Sequence, residues 1–188
     1  MEEQVVLVDE IDREIGVDGK MAVHRSGKLH RAISVFVFDA DDRLLLQQRA
    51  SAKYHSGGLW SNTCCSHPRP EEDSMSAASR RLWEEMGVAC ELSKEFAFTY
   101  RATFANHLIE HEYDHVFFGR YDGVPVPNRD EADDWRWMDM TQLSADVKRN
   151  PGAYSFWLAV CLDRVVAHRA DQRLRQRGGA AVPVKRSI

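Results

Sequence analysis

Hydrophobic and polar positions divide this chain into short β-rich runs and two helical stretches. Val5-Val6-Leu7-Val8 is a short β-rich run, and Gly16-Val17-Asp18-Gly19 has the chemistry of a turn. Ala32-Ile33-Ser34-Val35-Phe36-Val37-Phe38 is the strongest strand signal, dense in β-branched and aromatic residues. Asp39-Ala40-Asp41-Asp42 closes it, and Leu44 to Arg49 returns as a hairpin partner. Residues 54–69, with Gly57-Gly58 and Pro68, read as a loop. Residues 71–86 read as a helix. Acids at its start suit a helix N-terminus, Ala78, Leu82 and Met86 repeat at helical spacing, and Gly87 suits the end. Residues 95–103 and 107–121 are further strand-like runs, and Trp135 to Met138 a last one. Asn150-Pro151 opens a long amphipathic helix to about Arg177, with Pro151 near its first turn. Strands and helices mix without strict alternation and without repeats. This predicts one α/β (α+β) domain, a mixed sheet with helices on its faces.

Composition narrows the function classes. The 188 residues are 44% hydrophobic and 29% charged, enough to bury a core without disulfide staples. The net charge of −4 argues against a dedicated polyanion binder. Basic side chains crowd the C-terminal end: residues 164–188 hold seven of them against one acid, Asp171. That segment reads as a solvated basic tail, with nucleic-acid or membrane-surface contact as the alternative. The start, Met1-Glu2-Glu3-Gln4, is acidic where a signal peptide would be basic. The apolar run Ala32–Phe38 is far short of a membrane span. Cys64 and Cys65 are adjacent and Cys90 and Cys161 stand alone, so a reducing cytoplasm is expected.

Three constellations could carry chemistry. In the first, Glu110-His111-Glu112 lies in a strand-like run, so the two carboxylates share one face and His111 points to the other. With His24, His30 and His67 they form a plausible donor set for a divalent cation, or else they are wet-surface residues. The second is Asn62-Thr63-Cys64-Cys65-Ser66-His67-Pro68. In an extended segment Cys65 and His67 share a face, as nucleophile, acid/base or metal ligand, or Cys64 and Cys65 are simply small buried residues. The third is Arg80-Arg81-Leu82-Trp83-Glu84-Glu85-Met86-Gly87. Arg81 and Glu85 are four apart on one helix face, the spacing of an ordinary salt bridge.

The third segment resembles the second half of a Nudix box, Gly-x5-Glu-x7-Arg-Glu-x-x-Glu-Glu-x-Gly. Glu72, Arg80, Glu84, Glu85 and Gly87 match. Ser66 replaces the leading Gly, and Arg81 replaces the Glu after the Arg. Exchanging a box glutamate for a cation argues against hydrolysis. Together with Trp60-Ser61-Asn62-Thr63-Cys64-Cys65-Ser66-His67-Pro68, Tyr100-Arg101-Ala102 and Glu110-His111-Glu112, the chain is similar to the type I isopentenyl-diphosphate isomerases over roughly residues 4 to 160.

That resemblance implies a Nudix-like mixed β-sheet sandwiched between helices in a single domain over residues 1–177. Its catalytic core would lie at about 30–160, with a flexible basic tail at 178–188. It implies interconversion of isopentenyl and dimethylallyl diphosphate by protonation and deprotonation. Cys65 and Glu112 match the two acid/base groups, and Tyr100 the phenol beside that glutamate. His24, His30, His67, Glu110 and Glu112 match a site for one divalent metal, Mn²⁺, Zn²⁺ or Mg²⁺. Glu85 matches a contact to a Mg²⁺ carried with the diphosphate. Lys20, Arg49, Lys53 and Arg81 match diphosphate contacts. Trp157 matches an aromatic facing the reacting carbon, although Phe156 stands where the family has Pro. Trp60, Phe104 and Trp157 are apolar candidates for the pocket wall. His55, His107, His111, His115 and His168 are assigned structural roles. The expected partners are the small diphosphates alone, with neither nucleic acid nor membrane, and the expected state is a monomer or weak homodimer. The alternatives are a Nudix-type diphosphate hydrolase and a non-catalytic metal-binding or scaffold protein.

Overall fold

The computed structural model describes residues 2–179 of the chain. Strands β1 (Gln4–Val8) and β2 (Glu14–Gly19) precede helix α1 (Lys20–Ser26), and strands β3 (His30–Phe38), β4 (Leu44–Arg49), β5 (Trp60–Ser61) and β6 (Cys64–Ser66) follow. Helix α2 (Ser74–Met86), strands β7 (Leu92–Thr103), β8 (Ile109–Arg120) and β9 (Ala132–Met138), then helices α3 (Met140–Arg149) and α4 (Phe156–Gly179) complete the order.

Strand β3 is the hub. It runs parallel to β8, with His30 opposite Glu112 and Ser34 opposite Val116. On its other edge it pairs antiparallel with β6, Ser34 facing Cys65. Strand β7 extends the sheet beyond β8 and brings Tyr100 opposite Glu112 and Ala102 opposite Glu110. Side chains alternate along a strand. Phe36 and Phe38 therefore enter one core with Leu143, Leu158, Cys161 and Val165 of the C-terminal helices. Ile33, Val35 and Val37 enter the other with Ala78, Leu82 and Met86 of α2. The predicted helical stripe is thus the buried face of α2, and the mixed sheet lies between helical layers. His30 and Ser34 have the parity of Phe36 but lie nearer the start of β3, where polar side chains replace the aromatic core.

Several local expectations change. Gly16-Val17-Asp18-Gly19 is strand rather than turn, because Val6 pairs with Val17 across β1 and β2. Residues 54–69 contain the short strands β5 and β6. Helix α2 begins at Ser74, not 71. Asp73 caps it by accepting from the Met75 and Ser76 amides, while Glu71 is left-handed at φ 66°. Asp139 likewise caps the unforeseen α3 through the Thr141 and Gln142 amides. Pro151 opens a 3₁₀ turn rather than the long helix, which starts at Phe156.

The basic C-terminal stretch is not simply solvated. Arg169 is buried, lies 4.2 Å over the Phe38 ring and pairs with Asp42, as do Arg173 and Arg120. Of the expected tail, residues 180–188 lie outside the described residues.

Candidate active site

One cleft gathers most of the residues singled out from the sequence. Cys65, His67, Tyr100, Glu110, Glu112 and Trp157 line it, together with Glu85 and the cations Lys20, Arg49, Lys53 and Arg81. His24 and His30 are fully buried beside it.

The backbone fixes two histidine tautomers. His24 Nδ1 lies 2.7 Å from the Lys20 carbonyl, and His30 Nδ1 lies 3.0 Å from the Lys28 carbonyl. A carbonyl only accepts, so each Nδ1 carries the proton and each Nε2 presents a lone pair. Both Nε2 atoms are buried without a hydrogen-bond partner. Donor atoms of His24, His30, His67 and Glu112 all lie within 4.8 Å of one another. Stranded imidazole lone pairs beside a carboxylate fit a divalent cation. Burial pushes His24 down to about 4 and His67 down to about 3, so both rings are neutral at pH 7, as ligation requires.

The carboxylate pair is asymmetric. Burial would raise Glu112, but the His30 and His67 rings outweigh it and hold Glu112 well below the usual carboxylate range. His67 Nε2 is 3.0 Å from Glu112 Oε1. Burial and the charge of Glu112 push Glu110 up to about 8. The Tyr100 hydroxyl lies 2.9 Å from Glu110 and 2.7 Å from Glu112. It has one proton to donate, so a protonated Glu110 beside an ionised Glu112 satisfies all three groups.

Cys65 reaches the cleft from β6. Its thiol donates to Asn62 Oδ1 at 2.9 Å, and Ser34 Oγ is 3.5 Å away. Ser34 also donates to the buried Asp114 at 2.7 Å. Burial, with the Asp114 charge next, pushes the thiol up, so the resting group is a thiol rather than a thiolate. Trp157 opens α4 and donates from Nε1 to Ser61 Oγ at 2.9 Å. The Arg49 guanidinium lies 5.0 Å over its ring.

The cations differ in how they are engaged. Arg81 binds Glu84, Glu85 and Glu131 at 2.7, 2.8 and 3.0 Å. Lys53 also pairs with Glu131, and Lys20 with Glu3 at 3.0 Å. Arg49 has no carboxylate partner among the described residues and donates to the His55 carbonyl at 3.5 Å.

Sequence reasoning missed four participants. Asp114 continues the Glu110-x-Glu112 alternation, a signal that was present. Asn62 lies in the cysteine–histidine segment but receives no role from the sequence, and Glu131 carried no local signal. His55, assigned a structural role, lines the cleft with Nε2 3.1 Å from Glu110 Oε1. Two wall assignments change as well. Trp60 lies under Arg136, 4.0 Å from its ring, and lines a separate hollow with Tyr154. Phe104 stacks on His55.

The NUDIX domain matches residues 28–158. Isopentenyl-diphosphate Delta-isomerase 1 of Aromatoleum aromaticum is 67% identical over 93% of this chain and 99% of its own length. The isopentenyl-diphosphate Delta-isomerase of Burkholderia multivorans is 53% identical over 92% of this chain and 100% of its own length. Among solved structures, a Deinococcus radiodurans protein superposes with a TM-score of 0.73 at 18% identity, covering 86% of this chain and 98% of that one. At that identity the likeness is one of fold.

Proposed function

The chain belongs to the NUDIX-domain proteins and, among them, to the isopentenyl-diphosphate Delta-isomerases; from that premise we propose that Cys65 and Glu112 move the two protons as isopentenyl and dimethylallyl diphosphate interconvert. The observation that carries this reading is the placement of the two groups. Strands β6 and β8 flank opposite edges of β3, and each brings its acid/base group into the same cleft.

Shifting the double bond requires a proton added to one end of the alkene and another removed from the far side. The charge between these steps sits on a tertiary carbon. One of Cys65 and Glu112 donates and the other accepts, and the roles exchange with direction. Tyr100 hydrogen-bonds Glu112 and holds its carboxyl in place. Trp157 offers a π face to the cationic carbon, worth up to about 2 kcal/mol when desolvated. Exclusion of water protects that cation from capture as an alcohol.

Lys20, Arg49, Lys53 and Arg81 hold the diphosphate, which supplies binding energy remote from the reacting carbons. Glu85 would hold a Mg²⁺ carried by the diphosphate. His24, His30, His67, Glu110 and Glu112 would hold a second divalent ion, and the nitrogen donors favour Mn²⁺ or Zn²⁺ over Mg²⁺. When bound, such an ion supplies positive charge that makes a neighbouring carboxyl or phenol a stronger acid. We place the reaction in a reducing cytoplasm, in keeping with four free cysteines, and assign the protein neither nucleic-acid nor membrane partners and a monomeric or weakly dimeric state.

A Nudix-type diphosphate hydrolase is disfavoured. Arg81 puts a cation where the hydrolases' box has a further glutamate, so α2 offers one carboxylate fewer to a metal. Incubation with Mg²⁺, Mn²⁺ and isopentenyl diphosphate in D₂O distinguishes the readings. Deuterium-labelled product without phosphate release is expected; the absence of both turnover and exchange would falsify the isomerase reading.

A further inference from the structure

We propose that His55 is an additional ligand of the histidine–glutamate metal site, giving it a fourth imidazole. The proposal rests on the metal-site reading above and extends it to a residue outside the matched ligand set.

His55 is 7% exposed and comes from the loop between β4 and β5, remote in sequence from the other histidines. Its Nε2 is buried without a hydrogen-bond partner although Glu110 Oε1 is only 3.1 Å away. The pair is close enough for a hydrogen bond but wrongly angled for one. That is the relation expected of two neighbouring ligands of one ion. With bonds of about 2.1 Å, ligands at right angles lie about 3 Å apart and do not point at each other. Donor atoms of His24, His55 and Glu110 lie within 4.8 Å of one another, and His24 also belongs to the group with His30, His67 and Glu112. The two groups share His24, whose one lone pair binds one ion, and the proposal joins them in a single centre.

The ring is held for this task. It stacks on Phe104 at 4.7 Å and 5°, with Tyr54 edge-on at 4.3 Å. Its Nδ1 has Ser56 Oγ at 3.4 Å, which can accept the ring proton and leave the Nε2 lone pair for the ion. The loop is tied to the β7–β8 turn, where Asn106 Nδ2 donates to the Tyr54 carbonyl at 2.9 Å.

The direct test is a crystal structure of the Mn²⁺-loaded protein with the ion located by anomalous scattering. His55 Nε2 within about 2.4 Å of the ion is expected. An ion held by His24, His30 and His67 with His55 beyond 3 Å, about a hydrogen-bond length, overturns this proposal and leaves the site itself standing. No stoichiometric Mn²⁺ overturns both. In solution, electron paramagnetic resonance of free Mn²⁺ should show His55→Phe, which keeps the stack on Phe104, and His55→Gln each losing about tenfold or more in affinity. Unchanged affinity in both folded variants also overturns it.

Discussion

The thiol of Cys65 donates to the carboxamide oxygen of Asn62 at 2.9 Å. The orientation of that amide is fixed, because its Nδ2 donates to the carbonyls of Val35 and Cys64 at 3.1 and 3.0 Å. Asn62 therefore holds the transferable proton of Cys65 at a defined atom. Cys65→Ser is expected to lower kcat by about 10²–10⁴-fold, and Asn62→Ala by a smaller factor, with KM changed little in both. Steady-state kinetics decides; a rise in KM with kcat intact would make these residues binding groups.

Glu131 sits between Arg81 and Lys53 and partly neutralises both. A diphosphate must compete with that carboxylate. Glu131→Gln is expected to tighten Mg²⁺-pyrophosphate binding several-fold. Arg81→Ala and Lys53→Ala are expected to weaken it by about tenfold or more, the value of one charge-assisted hydrogen bond. Calorimetric titration measures all three. Weaker binding in Glu131→Gln would show instead that the carboxylate aims the two cations.

What the sequence made legible follows from how local each signal is. β3, β4, α2 and β8 were readable because burial on two faces or one stripe imposes a long pattern. The start of α2 was misjudged because acids at 71 and 72 mimic a first turn, whereas Asp73 is the cap. α1 has seven residues and a Gly19 cap without a side-chain bond, so no local signal marks it. β5 and β6, two and three residues long, exist only through pairing with β4 and β3. At the site, the Glu110/Glu112 face and the Cys65–His67 face followed from alternation alone. The three histidines were a candidate donor set from residue type, but their assignment to one site, like that of the diphosphate cations, came through resemblance to a family. His55 was beyond either route, since its partner Glu110 lies 55 residues away across a loop.

Trp157 is anchored at both ends, by Ser61 at its indole nitrogen and by Arg49 over its ring. Trp157→Phe keeps an aromatic face and loses the Ser61 bond, so a modest loss in kcat is expected. Trp157→Leu removes the π face and should cost about 30-fold, corresponding to about 2 kcal/mol. Equal losses in the two variants would assign the residue to packing alone.

The metal-free protein should be most stable near pH 6.5. Burial holds His24 at about 4 and His55 and His67 at about 3, against an ordinary value of 6.5. Below pH 6.5 the unfolded chain takes up protons that the folded chain refuses, so stability falls as pH falls. Glu112, held low by its histidines, adds to that loss at more acid pH. Glu110, raised to about 8, and Asp114, raised by burial, act oppositely. Unfolding releases their protons, and stability falls as pH rises above about 4.5. His115 is lowered by burial as well, so four histidines outnumber two carboxyls between pH 4.5 and 6.5, and from 6.5 to 8 the carboxyls act alone. Mn²⁺ requires deprotonated ligands, so its stabilising effect should grow from pH 5 to 8. Scanning calorimetry in chelator and in Mn²⁺ tests both statements. A melting temperature that rises steadily to pH 8 without metal contradicts the buried carboxyl assignments, and a profile indifferent to Mn²⁺ contradicts the metal site.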